Sequence, residues 1–427
     1  MKVTTAWTFY DWANSAFALV ITAAIFPSYF LRSTDEILYF GNVAISNSSL
    51  YAYIIALAYA IVTVASPLLS GFSDSANNKK VMLFLFCLVG SLSCMGLYFF
   101  DGMQHLLLGC VFFIFGLIGF QGSLVFYNAY LPEITTEDKF DRVSANGFSM
   151  GYFGSVILLI VNLMMISNPE WFHLPDAKIA VRISFFMVGL WWLLFSLIPL
   201  SYLPGSMKLS INTDNITKGI WILKDVWYKL KKLHDVRRFL FAFFAYSAGV
   251  QTVMLLAAAF AQKQMNFATS ELIILILLIQ LVAIIGAYLF SMLSRLRGNK
   301  FSIMTMLFIW LFICIIGYIV QTKIQFYILA GVVGMVMGGI QSLSRSTYSK
   351  LIYRYKGEHT SFFSFYDVLE KLSVIIGTFS FGFIEQITGG MRNSIFALGI
   401  FFVLGIILLN RTKLDFKSTL LPVIDEL

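Results

Sequence analysis

The sequence predicts an all-α membrane protein of twelve spanning helices, arranged as two bundles of six. Three observations carry that reading. Of 427 residues, 59% are hydrophobic and 12% charged, against about 45–50% apolar and about 25% charged in soluble domains. The apolar residues gather into twelve long runs, and one long polar interruption leaves six runs on either side. With 43 Phe and a mean hydropathy of +0.82, the apolar surface exceeds what one aqueous core could hide, which excludes a soluble globular enzyme.

A helix needs about 20 apolar residues to cross about 30 Å of hydrocarbon. Runs of that kind cover residues 6–31, 50–70, 81–100, 106–131, 144–167, 179–203, 238–262, 271–294, 301–320, 325–344, 362–387 and 393–409. None alternates apolar with polar residues as barrel strands do, so helices are the spanning structure expected. The first run holds Asp11 and Asn14 and lacks a small-x-small cleavage site. It is expected to stay in the mature protein as a helix rather than to leave as a signal peptide.

Lys and Arg set the orientation. One precedes the first span, two follow the second, two the fourth, three the eighth and four the tenth. Eight more lie in the central segment and three in the tail, 23 of the 30 in all. The opposite side holds six, Arg32, Lys178, Arg182, Lys263, Lys323 and Arg392, while Lys371 falls inside a helix. A bias this large places both termini in the cytoplasm and accounts for the net charge of +8 without nucleic acid.

The sequence divides into an N-terminal bundle over 1–203, a linker over 204–237, a C-terminal bundle over 238–409 and a tail over 410–427. Within the linker, KGIWILKDVWYKLKKLHDVRR brings Trp221, Leu223, Val226, Trp227 and Leu230 to helical spacing among Lys224, Lys229, Lys231 and Lys232. That pattern reads as an amphipathic helix on the inner leaflet, its lysines near lipid phosphates, tethering the halves. Lys80 and Lys300, and likewise Gln121 and Gln341, stand 220 residues apart, a faint internal repeat.

A charge at the centre of a spanning helix costs about 2.5–3.5 kcal/mol on insertion scales. Asp11, Asn128, Arg345, Asp367, Glu370 and Lys371 all read as one layer close to the cytoplasmic face, with Asp11 about 7–8 Å into its helix. Asp367 and Lys371 are four apart, the spacing at which side chains on one helix meet, and Arg345 ends the preceding span. They suggest an ion-pair latch that gates the cytoplasmic side. Asp11 has no basic residue on its own helix; it is a candidate proton-coupling group or a partner for Arg345.

Deeper, the polar inventory reads as uncharged: Ser15, Thr22, Gln121, Asn162, Gln251, Gln280 and Gln341. Each amide must find a partner on a neighbouring helix or line a wet cavity. Ser15, Gln121, Gln251, Gln280 and Gln341 together favour a cavity, offering donors and acceptors to a neutral or zwitterionic solute. Gly147, Gly151 and Gly154, with Gly331, Gly334, Gly338 and Gly339, permit close helix approach or bending. Cys87, Cys94, Cys110 and Cys314 sit in apolar runs without metal or disulfide spacing, and His105, His173, His234 and His359 are scattered. There is no nucleophile with a paired base and no phosphate loop, so neither an enzyme nor a bound cofactor is expected.

Several stretches look familiar. SGFSDSANNKK, between the second and third spans, resembles the signature of the major facilitator superfamily, with Ser70 at its Gly, Asp74 at its Asp, and Lys79 and Lys80 at its basic cluster. More specific are YDWANSAFA from Tyr10, YNAYLPEIT from Tyr127, RVSANGFSMGYFG from Arg142, GVQT from Gly249 and GGIQSLSRS from Gly338. Together, over nearly the whole chain, they resemble the vacuolar amino-acid effluxer branch of that superfamily, which has bacterial members. The resemblance implies two bundles related by a pseudo-two-fold axis, a central cavity lined by the first, fourth, seventh and tenth spans, alternating access, and Asp74 in a cytoplasmic gate. Where relatives often carry an acidic residue before the Gly-Val of the seventh span, this chain has Ser247 and Ala248. Gly377 and Thr378 replace a frequent Gly-Pro in the eleventh.

The expectation is a monomeric secondary transporter in a bacterial plasma membrane. Its partners would be a small solute, with amino acids the candidate class, membrane lipid and, as a candidate, protons. A drug or metabolite exporter of the same fold, suggested by 17% aromatic residues and 17 Met, and a membrane receptor without transport are the alternatives.

Overall fold

The computed structural model describes residues 1–40, 43–207, 213–267, 269–388 and 390–414, the side chains of 40, 43, 213–216 and 269–270 excepted. Twelve long helices form two bundles of six. The spans are Val3–Ser33, Asn47–Ala76, Lys79–Gly96, Leu106–Asn128, Phe140–Ser167 and Ala177–Tyr202, then His234–Met265, Thr269–Arg297, Asn299–Ile319, Lys323–Ile352, His359–Thr388 and Met391–Asn410. A further helix, Thr213–Lys232, connects the halves. Eleven of the spans are long and apolar enough to cross a membrane. The span His359–Thr388, 30 residues long, carries Asp367, Glu370 and Lys371. The face that carries the connecting helix is called the linker face below.

Polar side chains cap the starts of the second, sixth and tenth spans. Ser46 Oγ accepts from the Ser49 amide at the start of the second span, and Thr322 and Gln325 form a reciprocal capping box at the start of the tenth. The tenth span runs eight residues beyond its expected end at 344, so Lys350, read as a loop charge, lies inside the same helix as Arg345. The eleventh starts at His359 rather than 362. A β-hairpin, Ile37–Phe40 paired antiparallel with Val43–Ser46, joins the first two spans and adds a small sheet to the all-helical expectation. The tail expected over 410–427 lies outside the described residues from 415 onward, as does 208–212 of the linker.

The internal repeat has a structural basis. Lys80 Nζ donates to the Leu203 carbonyl at the end of the sixth span, 2.9 Å. Lys300 Nζ donates to the Asn410 and Thr412 carbonyls at the end of the twelfth, 2.7 and 2.9 Å. Each lysine, in the first turn of the third or ninth span, thus satisfies orphan carbonyls at the last helix of its own bundle. Across the halves, the fifth span packs on the eighth and the second on the eleventh.

The first span is a compound helix: α over Val3–Ala16, π over Phe17–Ile25, and α again over Phe26–Ser33. Thr22 Oγ1 donates to the Phe17 carbonyl within the π segment. Pro27 follows directly and has no amide hydrogen to continue the ladder. The fifth span lies against the first at Gly147, where a Cβ would strike Asp11 and Arg345. Only glycine leaves room there for those two side chains.

Candidate functional site

Arg345 lies seven residues before the tenth span ends at Ile352, about 10 Å along the axis at about 1.5 Å per residue. It is 3% exposed, and a lone guanidinium buried so deeply would be prohibitive. All five of its N–H donors are used. Nη1 and Nη2 each donate to Asp11 Oδ2 at 3.2 Å, Nη1 also to Asn128 Oδ1 at 3.3 Å, Nη2 to the Ser144 carbonyl at 2.9 Å and Nε to Ser144 Oγ at 2.9 Å. The rings of Phe148 and Trp7 lie 4.2 and 4.7 Å from the guanidinium carbon. Every one of these partners belongs to the N-terminal half, so the arginine is a plug from one bundle seated in the other.

Asp11 is itself held from a third helix. Tyr127 donates its hydroxyl to Asp11 Oδ2 at 2.7 Å, stacks on Trp7 at 4.4 Å, and accepts the Trp7 indole N–H on its carbonyl at 3.0 Å. The carboxylate is therefore held by its own half as well as by the arginine. The first, fourth, fifth and tenth spans meet at this one pair.

Three more polar contacts cross between the halves nearer the linker face. Asp141, in the first turn of the fifth span, accepts from Lys350 Nζ at 2.7 Å, Ser294 Oγ at 2.7 Å and Asn299 Nδ2 at 2.9 Å. Asp74, near the end of the second span, accepts from both the amide and the hydroxyl of Ser361 at 2.7 Å. Ser361 stands in the first turn of the eleventh span, where orphan amides and the helix dipole favour a carboxylate. Glu133 pairs with Lys79 in its own half and with His359 Nδ1 across the seam, 3.1 Å.

Toward midspan the amides are paired. Gln251 Nε2 donates to Glu370 Oε1 at 2.9 Å. Gln121 Nε2 donates to the Tyr59 hydroxyl at 3.1 Å, and Tyr152 donates to Gln341 Oε1 at 2.5 Å, the last across the halves. Ser15, Gln121, Gln251, Gln280, Gln341 and Glu370 are all partly exposed. Gln280 stands apart in the eighth span, its side-chain oxygen enclosed without a hydrogen-bond partner among the described residues. Asn162 is fully buried.

The structure corrects the sequence reading at three points. Arg345 pairs with Asp11, one of the two roles read for that carboxylate, and not with Asp367 and Lys371; those two form a 2.5 Å pair within one helix. A bond between residues four apart on one helix cannot by itself latch two bundles. The supposed single layer is also two. Asp11 and Asp367 lie about 12 Å from the linker-face ends of their helices, and Glu370 and Lys371 about 16–18 Å in. Finally, the deep polar set is not free of charge, because Glu370 shares a hydrogen bond with Gln251.

Sequence reasoning singled out neither Tyr127 and Ser144, which hold the latch, nor Asp141 and Lys350, which form its neighbour. Tyr127 adjoins Asn128 in YNAYLPEIT, and Ser144 lies inside RVSANG, one turn after Asp141. Those motifs were the available signal.

Comparison with known proteins agrees with the architecture. The profile of the family described as vacuole effluxer Atg22 like matches residues 1–418. An MFS-type transporter of Bacillus subtilis, YxiO, is 30% identical over 410 residues, covering 96% of this chain and 94% of that protein. Autophagy-related protein 22 of Saccharomyces cerevisiae is 24% identical over 436 residues, 87% of this chain and 79% of the relative. Among solved structures, the transporter FucP in its outward conformation superposes with a TM-score of 0.69 at 14% identity, over 96% of this chain and 98% of that one. The proton:xylose symporter XylE gives 0.70 at 14%, over 95% and 94%. With its two six-helix bundles and a matching profile from end to end, the chain belongs to the Atg22-like family of major facilitator superfamily transporters.

Proposed function

We propose that this transporter carries a small zwitterionic solute of the amino-acid class by alternating access, its two halves (1–203 and 238–409) rocking about the midspan polar groups. The supporting observation is the pairing of Gln251 with Glu370, partly exposed near the middle of the seventh and eleventh spans. A carboxylate answers a solute ammonium, while the Gln121–Tyr59 and Tyr152–Gln341 pairs offer donors to its carboxylate. With the linker face taken as cytoplasmic on the Lys and Arg bias, the latch closes the cytoplasmic side. The name of the matching family makes export the preferred direction. Asp11 and Glu370 are the candidate carriers of a coupled proton, Asp11 because its single cationic partner leaves when the halves part.

Flux of labelled amino acids in proteoliposomes tests this. Saturable flux by the wild-type chain, weakened in Gln251→Ala, Gln341→Ala and Glu370→Gln, is the expected result. Amino-acid flux indifferent to all three substitutions would remove the site. Dye efflux without amino-acid flux would favour an exporter of broader range.

A further inference from the structure

The connecting helix Thr213–Lys232 crosses the seam between the halves instead of hanging beside it. Near its start, Gly219 packs backbone to backbone on Gly71 of the second span, so closely that a Cβ on either residue would overlap the other's main chain. Asp74, which holds Ser361, is one turn beyond Gly71. Near its end, Lys229 Nζ binds both oxygens of Glu358, at 2.7 and 2.8 Å, three residues before Ser361. The Trp227 ring lies 5.8 Å from that of Phe365 in the eleventh span. The helix thus brackets the Asp74–Ser361 contact, touching the N-terminal half at one end and the C-terminal half at the other. Partial burial works against the Lys229 charge, but the Asp225 and Glu358 carboxylates outweigh it and hold its pKa above the ordinary value. The clamp is therefore charged at neutral pH.

Its other face is different. Val226 and Leu230 are buried against the bundle, whereas Ile220, Trp221, Trp227 and Tyr228 are exposed. Lys224 lies over the Trp221 ring at 5.3 Å, and Lys231 over Trp227 and Tyr228 at 5.1 and 5.7 Å. Aromatic rings interleaved with lysines along one stripe match the bilayer headgroup layer, where rings sit at the apolar boundary and ammonium groups meet phosphates. The stripe lies opposite the Gly219 and Lys229 contacts, with Trp227 at the border between them, so lipid can hold the stripe without displacing those two.

We propose that this stripe docks on an anionic phospholipid surface and that the docked helix acts as a strap biasing the transporter toward its linker-closed state. Opening the linker face must part the second span from the eleventh. The helix then loses Glu358 or Gly71 and tips its stripe off the surface, so lipid binds the closed state better, which is the condition for shifting the equilibrium.

The test reads conformation and needs no cargo. Asp138→Cys and Lys356→Cys place spin labels on exposed linker-face loops of the two halves, and the native cysteines Cys87, Cys94, Cys110 and Cys314 are all buried. In nanodiscs containing phosphatidylglycerol the short distance should dominate. In pure phosphatidylcholine the closed-to-open ratio should fall about tenfold. Lys224→Gln with Lys231→Gln should erase that lipid dependence, and Gly219→Leu should open the face in either lipid. An unchanged ratio between the two lipids, a lipid dependence that survives the double substitution, or a closed Gly219→Leu variant would each overturn the proposal.

Discussion

The two ends of the bundle are built differently. Toward the linker face, polar contacts run from one half to the other: Asp11 to Arg345, Asp141 to Lys350, Asp74 to Ser361, Glu133 to His359. Toward the opposite face, the described polar contacts stay within a half. Tyr29 donates to the Phe100 carbonyl and Arg182 to that of Tyr98 in the N-terminal half; Lys323 pairs with Glu271 and Arg392 binds the Val320 carbonyl in the C-terminal half. One end is stitched across the seam, the other is stitched only along its own margins. If the halves rock as proposed, the fastenings belong where the protein is closed, and their desolvation makes them strong only while they are made. The difference therefore teaches where the energy of the present state resides, which substitution can check.

The largest effect belongs to Asp11. Replacing it with Ala leaves Arg345 buried without its counter-charge, a loss of about 3–5 kcal/mol where one member of a buried pair is removed. It should fall on the linker-closed state, seen as a long distance between labels at Asp138→Cys and Lys356→Cys. Arg345→Met in the same chain should recover part of the loss, because replacing both charges spares the orphan. A double variant no better than the single one would show that the pair is not what closes this end.

Asp141→Asn comes next. It weakens three hydrogen bonds, one of them to a nearly buried ammonium, and should cost about 1.5–3 kcal/mol of the same closed state. Since Asp141 on the fifth span and Asp11 on the first fasten the same opening through separate partners, Lys350 and Arg345, their effects should add; strong coupling between them would instead mark one cooperative network.

How much of this was legible beforehand follows from what is local and what is not. Spans and connecting helix could be read because hydropathy accumulates along the chain and each run declares itself. The bond between Asp367 and Lys371 was legible for the same reason, being set by one helical turn. The seat of Arg345 was legible only in part: Asp11 stood as a candidate partner because its own helix offers no cation, but Tyr127 and Ser144 did not. Its partner is 334 residues away, and no periodicity relates the two; YDWANSAFA and GGIQSLSRS marked the helices but not which side chains meet. Glu370 was placed too shallow because an apolar window stops at the first polar turn, whereas the eleventh helix continues through His359, Thr360 and Ser361, whose side chains are buried. That same turn receives Asp74. Burial of Thr and Ser at a helix start is a tertiary fact, invisible to a hydropathy sum.

Midspan groups should sharpen the contrast by failing to affect closure. Glu370→Gln keeps the shape and a hydrogen bond to Gln251 while removing the charge. The label distances should stay as in the wild type, and the apparent affinity for the proposed amino-acid cargo should fall about tenfold, the loss of about 1.4 kcal/mol of charge-assisted bonding. A shift in the label distances would move Glu370 from the binding groups to the fastenings.

The smallest effect is expected at the opposite end. Lys323 and Glu271 form a 2.6 Å pair, but their side chains are 42% and 30% exposed and both belong to the C-terminal half. An exposed pair contributes about 0–1 kcal/mol, and one confined to a single bundle moves with that bundle whichever way the halves rock. Lys323→Ala should therefore leave the distribution of label distances unchanged and lower thermal stability only marginally, as followed by a melting curve in detergent. If that substitution shifted the distribution as far as Asp141→Asn does, the opposite end would hold a fastening of its own, and closure could no longer be assigned to the linker face alone.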